Sequence, residues 1–205
     1  MIKDRKEAGR LLAKRLEKHR ENSVVLAIPR GGVVIGDEIA KALGCKLDVV
    51  ISKKITPPDN PEYAIGAITH DGTVFQGKNW ENYSKLPDFG NELNKKREEV
   101  QRRLKDFRGS SDYSFDDKTV ILVDDGIATG ATIFAILNWL KKQNIQKIVL
   151  AVPVMPSETH HAMKDFCDEI TVLETPHDFV AVGQFYHEFL QVSDDEVISI
   201  LERYK

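Results

Sequence analysis

Five short apolar runs, rich in β-branched residues, constrain the fold of this 205-residue chain more than any other feature. They are Ser23–Ile28, Leu47–Ser52, Thr119–Val123, Lys147–Val152 and Glu169–Leu173. Each is too short for a stable helix, and its near-continuous apolar character is that of a strand covered on both faces. Between the runs the spacing turns helical. Asp4 is a cap before Ala8, Leu11, Leu12 and Leu16, the pattern from Val33 to Leu43 stops at Gly44, and further helices are predicted over Ala131–Gln143 and Ser157–Phe166. Strands alternating with helices imply an α/β fold, a parallel twisted sheet flanked by helices. The length fits one domain, 1–205, with a small hood or lobe expected at about 155–192, where the stretch 175–192 is irregular and aromatic.

Outside this alternation, His70-Asp71-Gly72 reads as a hairpin turn between Tyr63–Thr69 and Thr73–Phe75, and Glu92–Arg108 as a charged helix with a narrow apolar stripe. No run approaches the roughly 18 apolar residues that a membrane helix needs. The charged start, Met1-Ile2-Lys3-Asp4-Arg5, lacks the apolar stretch of a secretory signal, so a cytoplasmic location is expected. Cys45 and Cys167 have no partners at zinc-ligand spacing and are expected to be buried, reduced thiols. A net charge of −3 argues against a general nucleic-acid binder. The basic residues Lys95, Lys96, Arg97, Arg102 and Arg103 alternate with Glu98 and Glu99, the pattern of a solvated helix face. No membrane partner is expected, and a homodimer is compatible with the composition.

In open parallel sheets ligands bind beyond the carboxyl ends of the strands. Three polar clusters are predicted there: Pro29-Arg30-Gly31-Gly32, Lys53-Lys54 and Asp124 to Thr132. In the third, a buried strand enters a turn and a helix leaves it, so turn amides and a helix N-terminus together form a nest for an anion. Gly126 and Gly130 permit close backbone approach, and Thr129 and Thr132 add hydroxyls. Asp124 and Asp125 beside an anion site make chemical sense if the ligand carries vicinal hydroxyls, or Mg²⁺, next to its phosphate. A ribose 5-phosphate has the hydroxyls. A Walker A loop is excluded because Ala131 follows Gly130, and a dinucleotide fingerprint fails at Val33.

The run from Val120 to Thr132 resembles the signature of type I phosphoribosyltransferases: a hydrophobic strand, two acids, a short variable stretch, then Thr-Gly-x-Thr. The stretches Asn60–Ala67 and Val182–Phe189 resemble a branch of that family whose acceptor is undetermined, and the likeness extends from about Arg5 to Glu196. It implies that Asp124 and Asp125 contact the ribose 2′- and 3′-hydroxyls of 5-phosphoribosyl-1-pyrophosphate (PRPP). Gly126, Ile127, Ala128, Thr129, Gly130, Ala131 and Thr132 would hold the 5′-phosphate. Arg30, Gly31 and Gly32 would meet the pyrophosphate, with Lys53 and Lys54 as further cations. Mg²⁺ would arrive bound to PRPP and reach Asp124 and Asp125 only indirectly. The reaction implied is displacement of pyrophosphate by a nitrogen acceptor, a nucleobase.

Oxopurine-type members carry an acid at the position of Ala128, so proton chemistry would come from elsewhere; Glu62 is one candidate, a solvated glutamate the alternative. Phe179, with Val180 after it, stands where such members place a base-stacking aromatic. Equally, Phe179, Phe185, Tyr186 and Phe189 read as a small core. His160, His161 and His187 lack a matching acid or cysteine set for a metal. A second functional reading keeps the binding loop without transfer, as in a PRPP- or nucleotide-sensing regulator.

Overall fold

The computed structural model describes every residue except Pro58, Asp59, Pro61, Glu62 and Asp116. The described residues form two compact units, one of Met1–Val50, Ser114–Thr129 and Asn144–Lys205, the other of Ile51–Tyr113 and Gly130–Gln143. Residues 155–192, expected to carry the hood, belong to the first unit.

The first unit is built on a parallel sheet of β1 (Ser23–Ala27), β2 (Lys46–Val49), β6 (Thr119–Val123), β7 (Lys147–Val154) and β8 (Glu169–Glu174), in the order β2-β1-β6-β7-β8. All five β6 residues are buried, as a central strand covered on both faces requires. Helix α1 (Arg5–Leu16) is capped by Asp4, whose carboxylate accepts the Glu7 N–H at 2.8 Å. It buries Ala8, Leu12, Ala13 and Leu16 and packs on α2 (Gly31–Leu43), while Leu11 stays 38% exposed. Helix α2 ends at Gly44, whose φ of 67° suits a residue without Cβ. A short helix, α6 (Ser157–Met163), connects β7 to β8.

A helix beyond the predicted elements, α7 (Asp194–Glu202), closes the unit with Val197, Ile200 and Leu201 buried. The residues after it are tied to α2 through Asp37. That buried carboxylate accepts from Lys41 Nζ, Arg203 Nη2 and the Tyr204 hydroxyl at 2.6, 2.7 and 2.8 Å. The start of the chain is laced to the segment before α7. Ile2 N–H donates to the Phe185 carbonyl, His187 N–H to the Ile2 carbonyl and Glu188 N–H to the Lys3 carbonyl, each at 2.9 Å.

The second unit holds an antiparallel sheet, β3 (Ser52–Ile55), β4 (Gly66–Thr69) and β5 (Val74–Gln76), covered by α5 (Ala131–Leu140) and the long α4 (Phe89–Arg108); a single turn, α3 (Trp80–Tyr83), precedes α4. The turn 70–72 joins β4 to β5 as predicted. Ala67, Ala131 and Ala135 form a close-packed seam, and Phe75 stacks on Phe134 at 4.8 Å.

The sequence reading places one strand at Leu47–Ser52, and the structure divides it. The Val50 N–H makes the last bond to β1, at the Ala27 carbonyl, and Ser52 begins a ladder opposite Thr69 in the other sheet. The apolar residues Val49, Val50 and Ile51 carry no signal of such a change, because all three are buried across it. Cys45 and Cys167 are not joined in a disulfide and are only half-buried, a correction to the expected burial.

Candidate active site

Strand β6 delivers Asp124 and Asp125 to its carboxyl end, and β1 delivers Pro29 and Arg30 to the same edge. The Ile28 N–H bonds the Val123 carbonyl at 2.9 Å and draws the two strand ends together. Gly31 and Gly32, read from the sequence as loop residues, form the first turn of α2, with Arg30 as N-cap. Both are glycine because the acidic turn lies against them. A Cβ on Gly32 would stand 2.8 Å from the Val123 carbonyl oxygen, and one on Gly31 would overlap the Asp125 carboxylate. The Pro29–Arg30 peptide bond is cis.

These elements surround a cleft of about 370 Å³, lined by Arg5, residues 29–31, the acidic pair and residues 189–192. Inside it the acids are held from several sides. Asp124 Oδ1 accepts the Asp125 N–H at 2.8 Å, and Asp125 Oδ2 accepts from both Nε and Nη2 of Arg5 at 2.8 Å. The Tyr186 hydroxyl donates to the Asp125 carbonyl at 2.7 Å. Burial, and then the neighbouring charge of Asp125, push the Asp124 carboxyl well above the usual carboxylate range. Burial also raises Asp125, against the opposing pull of Arg5. Arg30 remains 37% exposed at its side chain, with Asp194 Oδ1 at 3.6 Å.

The turn continues into residues 126–129. Gly126 is required by space, since a Cβ there would lie 2.5 Å from Cγ1 of Val182. Ile127 is buried and its N–H bonds the Val154 carbonyl at 2.9 Å. This anchor leaves Ala128 and Thr129 exposed at the tip, with the Ala128 carbonyl accepting from the Thr159 hydroxyl at 2.9 Å.

The rest of the predicted phosphate run, with Lys53 and Lys54, lies in the second unit. Gly130, at φ 76°, is the N-cap of α5; Ala131 packs in the alanine seam, and the Thr132 carbonyl accepts the Ser52 hydroxyl at 3.0 Å. The first-turn amides of α5, Ala131 and Thr132 among them, have no acceptor within the helix. Lys53 and Lys54 are not at the end of a parallel strand, as the sequence reading has them. They lie within β3, opposite Ile68 and Ala67. Lys53 forms an ion pair with Glu99, and burial, then the charges of Lys96, Arg102 and Arg103, lower its amine; Lys54 is exposed.

Of the acceptor candidates, Phe179 stacks on Phe185 at 5.4 Å and Val180 is 89% exposed. Gln184 braces their loop, accepting the Val180 and Ala181 amides at 3.0 and 3.1 Å. Glu62 lies outside the described residues. Sequence reasoning misses Arg5 and Tyr186. Each is a common surface or core residue type, and the only signal of its role is a partner far along the chain.

The family description "Phosphoribosyl transferase domain" matches residues 1–189. The chain belongs to the phosphoribosyl transferase family. A Mycobacterium tuberculosis (strain H37Rv) member named "Putative phosphoribosyl transferase Rv0571c" is 39% identical over 207 aligned residues, covering 99% of this chain and 47% of its own length. The chain thus spans about half the length of the curated relatives it matches. Among solved structures, TT1426 from Thermus thermophilus superimposes with a TM-score of 0.82 at 36% identity, covering 99% of this chain and 98% of that one. A hypoxanthine phosphoribosyltransferase from Staphylococcus aureus, at 14% identity and a TM-score of 0.50 over 86% of this chain and 75% of its own, shares the phosphoribosyl transferase fold. Among the described residues, no helix is long and apolar enough to cross a membrane.

Proposed function

We propose that this phosphoribosyl transferase domain binds PRPP with Mg²⁺ and displaces its pyrophosphate with a nitrogen acceptor, a nucleobase. One observation carries the reading: the acidic pair at the end of β6 and the Arg30 turn at the end of β1 line a single cleft. Carboxylates suit ribose hydroxyls, and a guanidinium with the first amides of α2 suits a pyrophosphate. The residues 126–129 follow the acids directly and would take the 5′-phosphate through the amides of Gly126, Ala128 and Thr129, while Ile127, its N–H held by the Val154 carbonyl, anchors the turn; by chain order Gly130, Ala131 and Thr132 extend that run.

The donor set fits a metal that enters with the ligand. Two adjacent carboxylates, one of them committed to Arg5, are too few for a protein-built cage, yet they can accept hydrogen bonds from the hydroxyls or water around a PRPP-bound Mg²⁺. When bound, Mg²⁺ would neutralise charge on the pyrophosphate. The chain's own residues would do the rest. Asp124 and Asp125 orient the ribose, and Arg30 stabilises the charge that grows on the leaving oxygen as the bond to C1 of the ribose breaks. Phe179 and Val180 would receive the acceptor, whose nitrogen forms the new bond to C1. Glu62 keeps its place as a candidate proton acceptor.

The test is a panel of nucleobases and amines incubated with the protein, PRPP and MgCl₂ and followed by pyrophosphate release. Release with one acceptor supports transfer. PRPP binding without release from any acceptor assigns the domain to ligand sensing instead. Failure to bind PRPP in calorimetry overturns both.

A further inference from the structure

Asp125 is held at its backbone N–H and carbonyl and at one of its two carboxylate oxygens. Its N–H is held by Asp124 Oδ1, its carbonyl by the Tyr186 hydroxyl, and its Oδ2 by two nitrogens of Arg5, at 2.7 to 2.8 Å. Oδ1 is the carboxylate oxygen that Arg5 does not hold. The same guanidinium donates its Nη1 hydrogen to the Leu190 carbonyl at 2.7 Å and lies over the Phe189 ring, 3.9 Å from its centroid. The Arg5 side chain is only 11% exposed and stands on the first turn of α1, an element that supplies no other residue to the cleft. An ion pair needed only for cohesion could be made by a lysine. This arrangement needs a planar fork, because one side chain reaches a carboxylate and a carbonyl in divergent directions while its face covers an aromatic ring.

We infer that Arg5 is a positioning residue for ribose recognition: it pins one oxygen of Asp125 and the 189–190 wall, so that the other oxygen meets a sugar hydroxyl in a fixed geometry. This rests on the proposed binding of a ribose phosphate in the cleft. The inference assigns to Arg5 an effect on hydroxyl recognition and none on phosphate recognition, which separates it from a residue that merely stabilises the fold.

The experiment measures, by calorimetry, the affinity of the full chain for ribose 5-phosphate, 2,3-dideoxyribose 5-phosphate and inorganic phosphate, in the wild type, Arg5→Gln and Arg5→Lys. The wild type should prefer the ribose compound by about tenfold or more, as expected of a hydrogen bond to a charged group. Arg5→Gln should reduce that preference to about threefold or less while phosphate affinity stays within roughly twofold. Arg5→Lys keeps the charge without the fork and should fall between the two; it also carries the test if the Gln variant does not fold. Full hydroxyl preference in either variant overturns the role of Arg5 and leaves the proposed function standing. A wild type that does not bind ribose 5-phosphate overturns the proposed function itself.

Discussion

The two acids of the cleft should respond with opposite signs to the same substitution. Asp124→Asn keeps Oδ1 as acceptor for the Asp125 N–H and changes little in volume, but it removes a negative charge that burial and its neighbour both disfavour. Two unit charges 4 Å apart repel by about 4 kcal/mol at an effective dielectric constant of 20. Arg5 offsets part of that in the wild type, so a gain of about 1 kcal/mol is the expected remainder. Asp125→Asn instead removes the carboxylate that receives two nitrogens of Arg5 where the side chains are 18% and 11% exposed. Losing a charged hydrogen-bonded partner there should cost about 2 kcal/mol. For a chain of this size each kcal/mol moves Tm by roughly 2–4 °C. Calorimetry of the unliganded protein at pH 7 should therefore find Asp124→Asn melting a few degrees above wild type and Asp125→Asn about 4–8 °C below it. Both should bind PRPP more weakly. The charges also set a pH trend. A carboxyl whose pKa is raised by folding favours the folded state when protonated, so the Asp124 contribution improves as pH falls through its raised range and is lost as pH rises. The advantage of Asp124→Asn should be largest at alkaline pH. If Asp124→Asn melts below wild type, the acid is structural and the reasoning fails.

Three further outcomes follow from the geometry. Arg30→Ala should weaken PRPP binding by about 1.5–3 kcal/mol more than ribose 5-phosphate binding, measured by titration calorimetry, and equal losses would place Arg30 away from the pyrophosphate. Gly126→Ala should cost about 1–3 kcal/mol in chemical denaturation through overlap with Val182, and a second substitution, Val182→Ala, should recover much of it. Partial burial works against the Glu169 carboxylate, but hydrogen bonds from Lys147, Lys18 and His19 outweigh it and hold it at about 2, below its ordinary 4.5. A depressed carboxyl stabilises the fold above its unfolded pKa. Glu169→Gln should therefore be destabilising at pH 7, and the gap to wild type should close between about pH 4.5 and 2 in a melting series.

Much of the architecture is legible in the sequence because its signals are local. Thr119 and the four apolar residues after it specify β6 with its bounds, and Gly44 stops α2 where the left-handed turn needs it. Helix α7 carries a signal of the same kind, Ser193 ahead of Val197, Ile200 and Leu201, but lies beyond the predicted elements. The acidic pair is legible as a site because it belongs to a longer pattern, a buried strand, two acids and then Thr-Gly-x-Thr before a helix; an acidic turn alone reads as a helix cap. What escapes is long-range. Nothing near Val50 tells that the chain changes sheets there, so Lys53 and Lys54 move from an expected strand end into the interior of β3. Nothing near Arg5 tells that its partner is 120 residues away, and a helix-start arginine is ordinarily solvated.

The lacing of residues 2–3 to residues 185–188 has a consequence for the order in which the molecule assembles during synthesis. At about 5–20 residues per second, α1 leaves the ribosome roughly 10–40 seconds before its strap exists. In that interval α1 can dock on α2, and the parallel strands can pair as they emerge, but Arg5 has no Leu190 carbonyl to hold and Tyr186 cannot yet brace Asp125. The acids of the cleft are thus made before the residues that set them in place, and take their final setting only when residues 185–190 fold back onto residues 2–5. A nascent chain interrupted before residue 185 would carry the ligand-binding turn without the frame that gives it its shape.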